Sequence, residues 1–481
     1  MLFNSLEYLL FLPMVFMVYW WVAKSVRAKN VWLVAASYFF YGWWDWRFTL
    51  LLLTTTLSAY VGGILIERGS RRRLHLTANI VLNLGILCAF KYYDFFAESF
   101  CELAAALGLG AFSPLMLRVV LPVGISFYTF QAVSYTVDVY RRQIPAERDL
   151  PAFFAFLSFF PQLVAGPIER ATNLLPQMRR ERTFRYDKAV DGMRQILWGL
   201  FKKVVIADGC AEGANAIFAA PASFDGTTLL MGAVLFSFQI YGDFSGYSDI
   251  AVGSARLFGI ELMQNFRTPY FARDIRDFWR RWHISLMTWL RDYVYIPLGG
   301  NRRGNRRKVL NTFIVFGLSG LWHGANWTFV LWGLYHGTLV SLSRHKAPSH
   351  LSPPGEASSS PLFAALNSSP GGGRWEGAFT FLLVTLGWIL FRSASIGEAW
   401  LYLSHMVTHP AAALPAYGKT MVPLIFLMLL AEWLTRDEPH PLTAMARRIS
   451  SPALRMCLYW LIGGCILWFS GNATQFIYFQ F

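Results

Sequence analysis

The chain has 481 residues, of which 55% are hydrophobic, 17% are aromatic and only 15% are charged, against about 25% charged in an average soluble domain. This composition rules out a soluble globule, and five cysteines without a CxxC pair argue against a disulfide scaffold or a zinc ribbon. The net charge of +15 would suit a nucleic-acid-binding protein, but 41 Phe and 19 Trp leave too little polar surface, so the expected partner is lipid and not nucleic acid.

Many segments are apolar enough to form membrane-spanning helices, which need about 20 mostly apolar residues. The predicted spans are 5–23, 31–46, 48–66, 76–96, 119–139, 192–207, 228–255, 309–342, 377–392, 419–434 and 453–470. Segment 151–166 is predicted to be re-entrant. The expected fold is an all-α polytopic membrane protein with about ten to twelve transmembrane helices plus interfacial or re-entrant ones. The first segment lacks a basic start and a cleavage site, so we expect it to be retained.

Basic residues cluster in three of the short loops between these spans. They are Lys24, Arg27 and Lys29, then Arg68 and Arg71 to Arg73, then Arg141 and Arg142. Because Lys and Arg accumulate on the cytoplasmic side, we predict that these loops face the cytoplasm. The intervening stretch 97–117 carries only two acids, and it is predicted to face outward together with the N-terminus.

The chain is predicted to form one membrane domain with four parts. Residues 1–150 supply N-terminal helices, 151–344 a catalytic core, 345–376 a Pro, Gly and Ser-rich flexible linker, and 377–481 the closing helices. Within the core, 256–308 carries 12 Lys or Arg against four acids and is predicted to be cytoplasmic. Positive-inside bias and contact with anionic headgroups explain most of these charges.

Segment 274–296 has the pattern of an amphipathic helix. One stripe is apolar and consists of Ile275, Phe278, Trp279, Trp282, Leu286, Trp289, Leu290 and Tyr293. Arginines occupy the other face, so we predict a helix that lies in the membrane interface and does not cross it. His283 falls at the border of the two faces, where a histidine is often only an interfacial amphipathic side chain.

Polar residues lie inside the apolar run 236–256. They are Gln239, Asp243, Ser245, Ser248 and Asp249. Carboxylates at membrane depth must face protein, water or a cation. Two interpretations are open, a hydrogen-bond network that joins neighbouring helices and the wall of a polar tunnel. Gly242 and Gly246 suggest a local distortion of this helix.

The run 310–340 is longer than one span and is interrupted at SGLWHGANW. It predicts either one long tilted helix or two helices broken near Gly320 and Gly324. A break within the membrane is tolerated where it lines a cavity or packs in protein, so His323 is expected to face something polar. An imidazole there could act as a general base, or it could be a structural hydrogen-bond donor. His336, farther along, is predicted to serve packing.

Seven motifs together resemble a known family. They are YGWWDW at 41, LPVGISFYTFQAVSYTVDVYR at 121, FPQLVAGPIER at 160, DFSGYSDIAVG at 243, FWRRWHISLMTWLRDYVYIPLGGNRRG at 278, SGLWHGANWTFVLWGLYHG at 319 and the closing FIYFQF. The chain resembles the bacterial membrane-bound O-acyltransferases of the alginate O-acetyltransferase type. The resemblance covers nearly the whole chain and implies tilted helices around a central tunnel.

The resemblance implies particular site residues. The invariant histidine of the family matches His323, and its second histidine matches His283. The candidate tunnel or substrate-binding residues are Asp243, Ser245, Asp249, Arg280, Arg281, Trp322 and Asn326. One departure is Met287, where relatives usually carry serine, so no hydroxyl role is expected at that position.

The function implied is acetyl transfer from a cytoplasmic thioester, acetyl-CoA, to an exopolysaccharide such as alginate. No metal and no tightly bound cofactor are expected, since a thioester is already activated. The bacterial inner membrane, a periplasmic acetyltransferase partner and a polysaccharide synthase complex are the expected surroundings. The alternatives are a transporter or channel, in which the carboxylates and histidines relay protons, and a non-catalytic scaffold of a synthase complex.

Overall fold

The computed structural model describes the chain except residues 110–112, 165, 344–374, 412–414, 416, 473, 480 and 481. The described part is helical and has no strand, as predicted. Nearly all of the predicted linker 345–376 lies outside the described residues, and helix α17 begins at Trp375.

The helices are numbered in chain order. The N-terminal helices are α1 (Leu6–Met17), α2 (Val26–Gly42), α3 (Phe48–Arg68), α4 (Arg72–Lys91), α5 (Tyr93–Ala106) and α6 (Ile125–Tyr140). The middle helices are α7 (Leu150–Ser158), α8 (Phe160–Leu163), α9 (Ala171–Arg179), α10 (Tyr186–Leu200), α11 (Asp208–Ala219), α12 (Gly226–Leu257), α13 (Ile275–Arg281), α14 (Ile284–Leu290), α15 (Gly304–His323) and α16 (Trp327–Leu342). The closing helices are α17 (Trp375–Arg392), α18 (Ile396–Thr408), α19 (Met421–Leu434), α20 (Pro441–Arg448) and α21 (Pro452–Phe469).

Short segments of other helical types complete the architecture. Wider π-helical turns continue α1, α10 and α14 at Val18–Val22, Phe201–Ala207 and Arg291–Tyr295. The 3₁₀ turns are Pro221–Ser223, Pro269–Phe271, Ser470–Asn472 and Ile477–Phe479. Many helix starts are fixed by a side-chain oxygen that accepts a backbone N–H, and these caps are Ser5, Ser25, Asp149, Asp225, Asp274, Asn326, Ser395 and Ser451.

Three described helices are long and apolar enough to cross a membrane by themselves, namely α3, α4 and α21. Several other predicted spans are divided or shorter. The predicted span 119–139 begins as a helix only at Ile125, and 76–96 is split between α4 and α5. Segment 151–166 forms two short helices, α7 and α8. Helices that face protein instead of lipid can carry breaks and polar residues, because neighbouring helices satisfy the freed backbone groups.

Helix α12 is the central helix, and most of its 32 residues are buried. The distortion predicted at Gly242 and Gly246 is wrong, because α12 is continuous. Its glycines allow close contact instead. A Cβ at Gly246 would lie 2.7 Å from the carbonyl oxygen of Gly199 on α10, and the wider helical turns fall in the neighbouring segment Phe201–Ala207.

The predicted single interfacial helix 274–296 is also wrong in two respects. The chain breaks at His283, whose φ of 45° is left-handed, and α13 and α14 lie on either side. Asn265 stops the helix, because its backbone carbonyl accepts the N–H of Ile284 and its side chain accepts that of Ser285. The apolar stripe faces the protein interior and not lipid, since Trp282 is only 1% exposed.

The predicted basic loops gather on one side of the molecule, the basic face, which we define by Lys29, Arg72, Arg141 and Arg182. Lys29 donates to the carbonyl of Arg182, and Arg72 donates to the end of α6 beside Arg141. Arg141 in turn donates to the carbonyl of Asp292 in the basic segment 256–308. Arg179, three residues before Arg182, donates to Glu147, six residues after Arg141, and so joins the two groups of loops. Loops far apart in sequence therefore share one face, as expected of loops on one side of a membrane.

The opposite side holds the N-terminus and the ends of two helices that start at the basic face. The amino group of Met1 donates to the carbonyl of Phe40, near the far end of α2. Helices α4 and α15 each have 20 residues, or about 30 Å of length, and they end together at Lys91 and His323. His323 thus lies far along the molecule from the basic start of α15.

Candidate active site

A break between α15 and α16 presents His323. Helix α15 ends at His323, Gly324 is extended, and Asn326 caps α16 by accepting the N–H of Thr328 at 2.9 Å. The two helices pack so closely at Gly320 that a Cβ there would lie only 2.1 Å from the carbonyl oxygen of Phe329. Of the two alternatives for 310–340, the structure forms the broken helix, and the break lies just after the histidine.

Aromatic rings enclose His323, which is 3% exposed. Ring centroids of Trp322, Trp332, Phe391 and Tyr478 lie 5.0, 5.1, 5.2 and 5.5 Å from its own. Its Nδ1 has no hydrogen-bond partner within the described part of the chain. An unpaired polar atom in such surroundings is costly, so the imidazole is suited to a substrate that completes its hydrogen bonding.

Lys91 holds the end of α15 in place. Its ammonium donates to the carbonyls of Trp322 and His323 at 2.7 and 3.1 Å. The last carbonyls of a helix lack partners inside the helix, and a cation there also complements the helix dipole. Sequence reasoning missed this lysine, although a charge at the end of an apolar run was a usable signal.

His283 lies next to His323. The ring centroids are 6.4 Å apart, and the Trp322 ring contacts both. The Nδ1 of His283 is 3.1 Å from the side-chain oxygen of Asn265, so that nitrogen carries the proton if the two are hydrogen bonded. Its Nε2 has no partner among the residues that are described. The left-handed backbone at the helix break therefore places an imidazole with one free ring nitrogen beside His323.

Two cavities approach this pair of histidines. The basic-side cavity, of about 190 Å³, is lined by Ser245, Asp249 and Asn265 and extends to Arg256. The opposite-side cavity, of about 60 Å³, is lined by Lys91, Trp322, His323 and Tyr478. Asn265 is the residue that contacts His283. One histidine is thus linked to each cavity, and the rings lie between them.

The predicted polar residues of α12 divide between two roles. Ser245 and Asp249 line the basic-side cavity, where Asp249 pairs with Lys202 at 2.6 Å. Asp243 lines neither cavity. It pairs with Lys203 at 2.9 Å and accepts the backbone N–H of Ile477 at 2.6 Å, so it fixes the C-terminal segment. Asp243 therefore belongs to a hydrogen-bond network, whereas Ser245 and Asp249 line a cavity, as the wall of a polar tunnel would require.

Of the other four predicted tunnel residues, only Trp322 lines one of these two cavities. Trp322 lines the opposite-side cavity, whereas Asn326 is a helix cap whose amide donates to Ala394. Arg281 pairs with Asp277 on the same helix, and Arg280 is exposed. Neither arginine lines either of the two cavities.

Sequence reasoning also missed Lys202, Glu432 and Tyr478. Lys202 and Glu432 line the basic-side cavity, and charges inside predicted spans were the available signal. Tyr478 belongs to the closing motif FIYFQF, which was recognised without a role for any of its residues. Its hydroxyl is buried and makes no hydrogen bond to any described residue.

Comparisons with known proteins agree with this architecture. A family model for the membrane-bound O-acyltransferase family matches residues 39–345. The "probable alginate O-acetylase AlgI" of Azotobacter vinelandii is 40% identical over 409 residues, which cover 83% of this chain and 77% of the relative. A "peptidoglycan O-acetyltransferase" of Helicobacter pylori is 34% identical, with 96% of this chain and 88% of the relative covered.

A third relative is more distant. The "teichoic acid D-alanyltransferase" of Bacillus subtilis is 31% identical over 230 residues, which cover 46% of this chain and 58% of the relative. The chain belongs to the membrane-bound O-acyltransferase family. It is a multi-pass membrane protein and an O-acyltransferase, as the sequence motifs predicted.

Proposed function

We propose that the protein moves an acetyl group from a cytoplasmic thioester to a hydroxyl at the outer side of the inner membrane, for O-acetylation of an exopolysaccharide. The observation that carries this proposal is a pair of adjacent histidines, each linked to a different cavity. His323 lines the opposite-side cavity, and His283 contacts Asn265, which lines the basic-side cavity. The names of the relatives support it, because alginate, peptidoglycan and teichoic acid are all polymers that lie outside the cytoplasmic membrane.

His323 is the proposed general base. Its imidazole takes the proton of the acceptor hydroxyl while the hydroxyl oxygen bonds to the thioester carbonyl carbon. The tetrahedral intermediate then expels the thiolate as the carbon–sulfur bond breaks, and the imidazolium returns the proton to the sulfur. No redox partner is required, and every proton is accounted for within the site.

His283 is proposed to stabilise the oxyanion of that intermediate or to position the donor. Because Nδ1 donates to the side-chain oxygen of Asn265, Nε2 donates to the oxyanion only when both ring nitrogens are protonated, and otherwise it accepts. The donor is proposed to enter from the basic side, since His283 is linked to that cavity through Asn265. Acetyl-CoA is the proposed donor, and no tightly bound cofactor is invoked.

The acceptor is proposed to reach His323 from the opposite-side cavity. It is a hydroxyl either of the polymer itself, with alginate the leading candidate from the relatives' names, or of a periplasmic acetyltransferase partner in the synthase complex. Lys91 and Tyr478 line this entrance beside His323. The decisive experiment is transfer of labelled acetyl from acetyl-CoA by the purified chain, which a transporter, a channel or a scaffold would not catalyse.

The orientation is part of the proposal. We place the basic face in the cytoplasm and the N-terminus outside. Cysteines substituted at Arg71 and Arg141 are expected to resist an impermeant thiol reagent in intact cells and to react after lysis. Labelling of both positions in intact cells would reverse the orientation.

A further inference from the structure

A third cavity, the Arg182 cavity, opens on the basic face between α9, α10 and the end of α12. It measures about 240 Å³, and its lining includes Trp20 and Gly259. Five cationic and two acidic side chains line it, for a net charge of +3. The cations are Arg180, Arg182, Arg185, Lys188 and Arg256.

Three of these cations are neutralised within the protein, and one of them, Arg185, pairs with Asp187 at 2.9 Å. Glu261 accepts from Lys188 at 2.8 Å and from Arg256 at 2.9 Å. Burial alone would raise the pKa of Glu261, but the hydrogen bonds from these two cations hold it below its usual value. Arg256 also pairs with Asp191 at 2.6 Å. This side of the cavity is therefore balanced in charge.

The other side is not balanced. Arg182 is 5% exposed, and its guanidinium donates to the side-chain oxygen of Asn30 at 2.6 Å and, through its other terminal nitrogen, to the carbonyl oxygen of Gln177 at 3.4 Å and the sulfur of Met178 at 3.3 Å. Its Nε has no partner in the described residues. Lys29, 8% exposed, donates to the backbone carbonyl of Arg182 and lies 4.4 Å from the centroid of Trp20. Neither cation forms an ion pair with any carboxylate that the structure describes.

Two adjacent buried cations without an ion pair are unfavourable, because burial removes their hydration, and the nearby Glu181 offsets the charge of Lys29 only in part. Burial accordingly lowers the pKa of Arg182. An anion in the cavity would supply the missing charge. A guanidinium fork matches a phosphate oxygen pair in geometry, and the ammonium of Lys29, which does not line the cavity, adds a second positive charge behind it.

We infer that the Arg182 cavity binds the phosphate of an anionic ligand. Two sources of that phosphate reach the basic face. One is an anionic phospholipid headgroup, and the other is the phosphate of the thioester donor, since Arg256 also lines the basic-side cavity. The second source rests on the proposed function, whereas the first does not.

The test compares two variants with a matched control. Arg180→Gln combined with Arg185→Gln removes two exposed cations of the cavity, and Arg182→Gln removes the buried one. Arg302→Gln combined with Arg303→Gln removes two exposed arginines of segment 256–308 that do not line it. If Arg182→Gln fails to fold, the pair of exposed arginines carries the test.

Two measurements distinguish the sources. The first is the affinity of the detergent-purified protein for phosphatidylglycerol by native mass spectrometry. The second is the KM for acetyl-CoA against that for S-acetylpantetheine, which has no phosphate. Loss of a charge-assisted contact is expected either to lower the affinity for phosphatidylglycerol or to raise the KM for acetyl-CoA by about tenfold. The control variant should leave both unchanged.

The two measurements together identify the source of the phosphate. Weaker phosphatidylglycerol binding with unchanged KM assigns the site to lipid, and a higher KM for acetyl-CoA alone assigns it to the donor. Unchanged values in both measurements, or equal rises in KM for both thioesters, overturn the inference. A wild-type protein that transfers no acetyl group refutes the proposed function but leaves the lipid measurement able to support or overturn the site.

Discussion

Two histidines of the α15–α16 pair contact the same tryptophan but differ in what else they reach. The Trp332 ring centroid lies 5.1 Å from that of His323 and 5.0 Å from that of His336. His323 lines the opposite-side cavity, whereas His336 is fully buried and lines none of the three cavities. Aromatic surroundings alone therefore do not distinguish the two histidines. What distinguishes them is access to a cavity, which the helix break gives to His323 alone of the two.

The two histidines also differ in their positions within the helices. His323 lies at a helix end, where Gly324 and the cap Asn326 redirect the chain. His336 lies in the middle of α16, close to Gly387 of α17, where a Cβ would approach its Nε2 to 2.8 Å. A mid-helix position sealed by a neighbouring helix leaves no path for a substrate.

The largest effect is expected at His323. His323→Ala removes the proposed proton acceptor and should lower kcat by a factor of about 10² to 10⁴, the range typical of general base catalysis. His323→Gln keeps a polar side chain that cannot shuttle a proton, so it should be nearly as inactive. The measurement is acetyl transfer per molecule of purified protein. Wild-type activity in well-folded variants would refute the role and favour a scaffold.

His283 is expected to have the next largest effect. Loss of a donor to the oxyanion should lower kcat by about 10² to 10³. The matched variants are His283→Ala and His283→Asn, because asparagine tolerates the left-handed backbone at φ 45° whereas alanine does not. Equal losses in both would assign the effect to the imidazole. Full activity of His283→Asn would assign it to the backbone turn instead.

The features of this site that could be predicted from the sequence are those set by residues close together in the chain. The motif around His323 includes its own helix break, since glycines flank it, and so the position and the break could both be predicted. The helical class and the shared basic face followed in the same way from local composition. These properties depend on residues that are neighbours in sequence.

Contacts between distant residues were not predictable. The periodicity of 274–296 favoured one helix, but Asn265, outside that window, breaks it at His283. Likewise Asp243 looked like a tunnel residue, and only the fold shows that it binds the N–H of Ile477. A single chain gives no direct signal for such partners, because they are set by tertiary packing.

The docking of the C-terminal segment predicts a smaller effect. Asp243→Ala removes the acceptor of the Ile477 N–H and one partner of Lys203, so Tyr478 should lose its place beside His323 and kcat should fall by about tenfold. Asp243→Asn keeps an oxygen acceptor and should retain more activity. In a Tyr478→Ala background, Asp243→Ala should add little further loss. Fully additive losses would show that Asp243 acts by another route.

The last two arginines of α13 should matter less still. Replacing Arg280 and Arg281 with Gln is expected to raise the KM for the donor by severalfold at most. Neither side chain lines one of the three cavities, Arg281 already pairs with Asp277, and the exposed charge of Arg280 is screened by salt. The effect should shrink further as salt is added. A large rise in KM at high salt would mean that these arginines contact the donor directly.

The smallest effect on turnover is expected at His336. His336→Ala deletes a buried ring packed against Trp279, Trp332 and Tyr335, whose centroids lie 5.0, 5.0 and 5.3 Å away. Lost packing should lower stability by about 1–3 kcal/mol and reduce the amount of folded protein, while kcat per folded molecule stays near the wild-type value. His336→Leu refills much of the space and should recover part of the thermal stability. A folded His336→Leu protein that has lost turnover as severely as His323→Ala would end the distinction between the two histidines, because packing could no longer account for the loss.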